Sequence, residues 1–183
     1  MNNFYNNVFK EIDYLLQQSD KDLLEKITKT LKSTKKKNKK VIIIGNGGSA
    51  AIASHVSVDL TKNAKVRSIN FNEADLLTCF SNDYGYEKVF SKSLEFYADK
   101  GDVVILISSS GKSKNMLEAA KICRKKELFL CTFTGFSKSN PLKKMGNVNL
   151  WVNSKAYNIV ENIHQILLLS IVDRIIGKTE YLA

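Results

Sequence analysis

Two short stretches carry the residue types from which an anion site is built. Gly45-Asn46-Gly47-Gly48-Ser49 follows the β-branched run Val41 to Ile44, and Ser108-Ser109-Ser110-Gly111-Lys112-Ser113 follows Val103 to Ile107. The apolar runs are too short and too branched for helices of their own and read as buried strands. After each turn, small and apolar residues recur at helical spacing, and Ser49 falls where the N-cap of the first helix belongs. A strand that ends in such a turn and opens a helix leaves backbone N–H groups at the positive end of the helix dipole. Hydroxyls beside those amides add the donors that saturate phosphate oxygens. The chemistry expected is capture of one phosphorylated ligand between the two turns. A serine run alone is an ordinary polar loop, and the buried strand before it is what argues for more.

The elements that hold these turns follow from periodicity. Phe4, Tyr5, Val8, Ile12, Leu15 and Leu16 form one helical stripe; beyond Ser19-Asp20, Leu23, Leu24, Ile27 and Leu31 form a second. Two amphipathic helices ahead of the first strand are more helix than that strand can cover, so their stripes should pack on each other and on another subunit. Val66 to Phe71 reads as a strand and Glu73 to Phe80 as a short helix. Ser81 to Gly85 reads as a polar break with good turn chemistry, and Glu87 to Ala98 as a helix. Further strands are expected over Leu128 to Thr134 and Val148 to Val152, with a helix over Asn115 to Lys126 and a last, mostly apolar helix over Tyr157 to Ile176. Alternating strands and helices predict an α/β fold: a five-stranded parallel sheet, doubly wound, with helices on both faces. The reading is one domain over 1–183, a helical hairpin (1–38) followed by an α/β core (39–183). Ligands bind such sheets beyond the carboxyl ends of the strands, the edge both turns occupy.

Composition removes other classes. The 183 residues suit one core, and one proline with nine glycines leaves no linker-like stretch. No apolar run approaches a membrane span, and Met1 to Gln18 lacks the apolar centre of a signal peptide, so a cytoplasmic protein with no membrane partner is expected. The net charge of +10 is densest over Lys35 to Lys40, where a helix C-terminus favours cations. The other lysines are scattered without a nucleic-acid motif, which argues against a nucleic-acid partner and fits anionic sugar phosphates. Cys79, Cys123 and Cys131 show no CxxC spacing and are assigned to packing as reduced thiols.

Taken together, Gly45 to Ala51, Asn82-Asp83-Tyr84-Gly85-Tyr86 and Ser108 to Ser113 resemble the sugar isomerase (SIS) superfamily, and within it the phosphoheptose (sedoheptulose 7-phosphate) isomerases. The likeness spans nearly the whole chain, with three separated motifs in the same order. It implies an aldose–ketose isomerase of a sugar phosphate, working as a homotetramer in heptose supply for lipopolysaccharide or capsule. It places the phosphate on Ser108, Ser109, Ser110 and Ser113, further substrate contacts on Asn46, Gly47, Gly48 and Ser49, and the sugar hydroxyls on Asn82 and Asp83.

Family isomerases carry a histidine and a glutamate four residues apart on the first-loop helix. A glutamine and, eight residues later, a histidine follow on the last helix, sometimes gathered around zinc. Here those positions hold His55, Asp59, Glu161 and Leu169. Isomerisation needs a base that moves a proton between two carbons and a group that handles the enediol oxygens. The resemblance assigns these tasks to Asp59 and Glu161, with His55 beside them. It implies no obligatory cofactor and allows a divalent metal such as zinc on His55, Asp59 and Glu161. His164, on a nearly all-apolar helix, reads as a core histidine. The altered positions leave two other readings open. One is a non-catalytic SIS protein that binds a sugar phosphate or associates with a replication initiator; the other is an isomerase of a different sugar phosphate.

Overall fold

β-Branched side chains crowd a helix but fit a pleated surface, and they form the middle of this molecule. The structure is a computed structural model that describes residues 2–181. Strands β1 (Val41–Gly45), β2 (Ser68–Asn70), β3 (Val103–Ser108), β4 (Phe129–Thr134) and β5 (Val148–Trp151) form one sheet in the order β2-β1-β3-β4-β5, all pairs parallel. The flanking helices are α1 (Asn2–Gln17), α2 (Lys21–Lys36), α3 (Gly48–Lys62), α4 (Ala74–Tyr84), α5 (Val89–Tyr97), α6 (Lys114–Lys125) and α7 (Tyr157–Ile176). This is the expected α/β architecture.

Side chains alternate faces along each strand. Val41, Ile43, Ile105, Ile107 and Phe133 pack with α2, α3 and α7, whereas Ile42, Ile44, Val104, Leu106 and Leu130 pack with α5 and α6. Each face thus has its own core, which is why the strands read as unbroken apolar runs. The chain leaves β1 for β2 on one side and β3 for β4 on the other. The loops after β1 and β3 therefore diverge and leave a crevice at the strand ends.

Several local details differ from expectation. Gly47, at φ +54°, is the N-cap of α3, so Ser49 lies buried inside the first turn instead of capping it. Helix α4 runs on through Ser81, Asn82 and Asp83: Asn82 Nδ2 donates to Asp83 Oδ1 at 2.9 Å, and only Gly85, at φ +83°, ends the helix. Strand β2 is confined to Ser68–Asn70, because Val66 N donates back to Leu60 O and Asn70 Oδ1 accepts from Asn72 N. Helices α1 and α2 lie more against α7 than against each other. Asp20 caps α2 by accepting from Leu23 N at 3.0 Å.

Cys123 and Cys131 are buried, and burial pushes both thiols up to about 12. Cys79 departs from its packing assignment: it is exposed on α4, its thiol 3.7 Å from Asp83 Oδ2. No helix among the described residues is long and apolar enough to cross a membrane.

Candidate functional site

The crevice between the β1 and β3 loops holds a cavity of about 90 Å³ lined by Asn46, Ser49, Ser108, Ser109, Ser110, Ser113, Tyr157 and Glu161, with Ile107 at its floor. Its two walls are the N-termini of α3 and α6. Ser113 is the N-cap of α6, yet its side chain makes no capping hydrogen bond and stays available. The Ser109 hydroxyl is buried and lacks a hydrogen-bond partner among the described residues. A buried donor left unmet costs free energy unless a ligand meets it. Two dipole ends and five serine hydroxyls, that of Ser109 without a partner, together suit a phosphate group.

The serine loop is braced from behind. Gly111 sits at φ +62°, and the Asn140 carboxamide fills the space a β-carbon there would need. Asn140, itself buried, donates to Ser137 O at 2.9 Å and to Gly135 O at 3.3 Å; Gly135 N in turn donates to Ser109 O at 2.9 Å. Across the crevice, Gly47 would meet no obstacle to a side chain, so its positive φ is what requires glycine. Gly48 requires it for space, because the Glu161 carboxylate lies directly over it.

Among the described residues Glu161 is the one carboxyl group lining the cavity, and burial raises its pKa above the ordinary glutamate value. His55 and Asp59 lie elsewhere. They form a pair on α3, Nε2 to Oδ2 at 3.4 Å, with His55 half exposed. His55 Nδ1 is 3.3 Å from Gln165 Nε2 on α7, and Asn63 Nδ2 donates to Asp59 Oδ1 at 3.1 Å. At ~1.5 Å per helical residue, Gly48 and Asp59 are about 16 Å apart along α3. Within one chain Asp59 and Glu161 therefore do not converge. Among the described residues no group of three His, Cys, Asp or Glu side chains could hold a metal ion, so His55, Asp59 and Glu161 do not fit a shared metal as this chain places them.

Asn82 and Asp83 are also separate from the cavity, exposed on the last turn of α4 with their side chains on each other. Their motif reaches the site through Tyr86, whose hydroxyl donates to Asn46 Oδ1 at 3.0 Å. Leu169 is partly buried against the α7 core, and His164 is wholly buried, Nε2 3.1 Å from Thr134 O and edge-on to Phe133. Desolvation drives His164 down to about 4 and keeps it neutral. Sequence reasoning overlooked Tyr157, Gln165, Asn140 and Asn115. None sits in a local pattern, except that Asn115 follows Ser113 by two residues; Tyr86, by contrast, closes a motif already singled out.

A doubly wound α/β protein with a hydroxyl-lined cleft at its switch point is the class that fold and site define. The model of the SIS domain family matches residues 3–135, and the chain belongs to that family. A phosphoheptose isomerase from Cytophaga hutchinsonii is 37% identical over 128 residues, covering 67% of each chain. One from Fusobacterium nucleatum is 30% identical over 165 residues, 87% of this chain and 84% of its own. The solved phosphoheptose isomerase of Neisseria gonorrhoeae superposes with a TM-score of 0.84 at 27% identity, covering 91% of this chain and 94% of that one.

Proposed function

We propose that this chain is an aldose–ketose isomerase of sedoheptulose 7-phosphate. The observation that carries the reading is the hydroxyl-lined cleft with its orphan Ser109 donor, in a chain whose relatives bear the name phosphoheptose isomerase. The phosphate binds between the serine loop and the start of α3. Glu161, whose pKa burial raises above the ordinary glutamate value, exchanges a proton with the sugar oxygens and stabilises the enediol. Asp59 moves the proton between C1 and C2, oriented by His55 and Asn63.

For those roles Asp59 and Glu161 must meet at one C1–C2 unit, and one chain keeps them apart. We therefore propose that a homotetramer completes the site, with the His55–Asp59 pair of one copy facing the Glu161 cleft of another. Helix α1 supports assembly, since Phe4, Tyr5, Phe9 and Tyr14 are each more than 60% exposed, and large apolar residues gathered on one helix mark an interface. Cytoplasmic residence and a place in heptose supply accompany this reading.

Proton exchange at C1 and C2 of sedoheptulose 7-phosphate tests the activity directly. Mixing the separately inactive Asp59→Asn and Glu161→Ala proteins tests the shared site, because reassembly should restore part of the turnover. No recovery after subunit exchange, or a stable monomer in sedimentation, argues against it. An unchanged substrate across a panel of ketose and aldose phosphates turns the reading to a binding protein.

A further inference from the structure

The two anion-binding turns are joined by a clasp that no cleft contact requires. Asn46 Oδ1 accepts from Asn115 Nδ2 at 2.9 Å and from the Tyr86 hydroxyl at 3.0 Å, while Asn46 Nδ2 donates to Asn115 Oδ1 at 3.0 Å. Asn115 stands on the first turn of α6 and is 3% exposed. Three elements thus meet on one carboxamide: the loop after β1, the helix after the serine loop, and the short 3-10 helix Tyr86–Lys88 that follows α4.

A carboxamide offers two acceptor sites and two N–H groups. In Asn46 both acceptor sites and one N–H are spent inside the clasp. What remains is a single N–H on a side chain that lines the cavity. We propose that Asn115 and Tyr86 are positioning residues that hold Asn46 as a donor-only group, so that the cleft selects ligand oxygens that accept, and that they fix the spacing of the two turns. This rests on the phosphate reading of the cleft. Turning the Asn46 carboxamide over against a fixed Asn115 would set N–H against N–H and present a carbonyl to an anion. The reciprocal pair prevents that, and the Tyr86 hydroxyl adds a second donor to the same oxygen. A network of this kind is worth most when every member is satisfied. The clasp also gives the Asn82–Tyr86 motif a purpose at the site, which it serves through its last residue.

Titration with inorganic phosphate and with sedoheptulose 7-phosphate tests the clasp, alongside KM, kcat and the melting temperature. Tyr86→Phe removes one donor from a ring that is 58% exposed and should weaken both ligands roughly fivefold. It should raise KM more than it lowers kcat. Asn115→Leu should weaken them further, and Asn115→Asp most, since it sets an acceptor against Asn46 Oδ1. Adding Tyr86→Phe to Asn115→Leu should cost less than the sum of the two, the mark of a shared partner. Where Asn115→Leu fails to fold, Tyr86→Phe decides. Unaltered ligand affinity in Tyr86→Phe and Asn115→Leu, with only the melting temperature lowered, overturns the clasp while leaving the cleft standing. A wild-type chain that binds neither ligand overturns both.

Discussion

The Glu161 carboxylate rests on Gly48, so closely that a β-carbon at position 48 would collide with Oε2. The contact ties α7 to the first turn of α3 and sets where the cleft's one carboxyl group points. Gly48→Ala should leave the helix no weaker, because alanine is about 1 kcal/mol the better helix former. It should still displace Glu161, and misplacement of a reacting group by about 1 Å costs on the order of a hundredfold. The expected result is a large loss of kcat/KM at an unchanged or raised melting temperature. Full activity in Gly48→Ala would show that Glu161 need not stand where it does.

Ser110 and Ser113 line the cleft; the Ser110 hydroxyl accepts from Lys112 N at 3.3 Å and keeps its own proton to donate, and the Ser113 hydroxyl makes no capping bond. A hydrogen bond to a charged group contributes about 1.5–3 kcal/mol, so the Ser110→Ala, Ser113→Ala double variant should bind sugar phosphate at least a hundredfold more weakly. Calorimetric titration with phosphate measures this, and equal affinity in the variant would place the anion site elsewhere.

Asp59→Asn preserves shape and keeps the Asn63 contact within reach while removing the base. Turnover should fall by about two to four orders of magnitude. Phosphate affinity should hold, since the serine cleft is untouched. A parallel loss of binding would assign Asp59 to structure.

His164 should make the fold acid-sensitive. Its pKa falls from 6.5 to about 4 in the folded chain, so between those values the unfolded chain takes up a proton that the folded one refuses. The contribution is complete above pH 6.5 and is lost as pH falls towards 4, about 3 kcal/mol in all. His164→Gln keeps an N–H for Thr134 O but does not titrate. Denaturant midpoints measured from pH 7 to 4 should decline less steeply in that variant, and a matching slope would move the acid sensitivity to other groups.

The two turns that line the cleft were legible because their signals are local. Ile42, Ile43 and Ile44 demand a strand, Gly47 supplies a backbone conformation few other residues adopt, and the serines follow a second buried strand. Alternating strands and helices then leave little choice of architecture. Local signals misled where a neighbour's competing bond decided the outcome, as at Asn82, whose side chain bonds Asp83 and lets α4 continue. Longer relations were invisible. Asn46 and Asn115 are separated by 69 residues and meet only because β1 and β3 pair in register. The spacing of His55 and Asp59 places them on one helical face by itself, but not in the cleft that holds Glu161. That distance is set by how α3 lies along α7, and helix packing is a sum of many weak contacts from distant parts of the chain that no short stretch records.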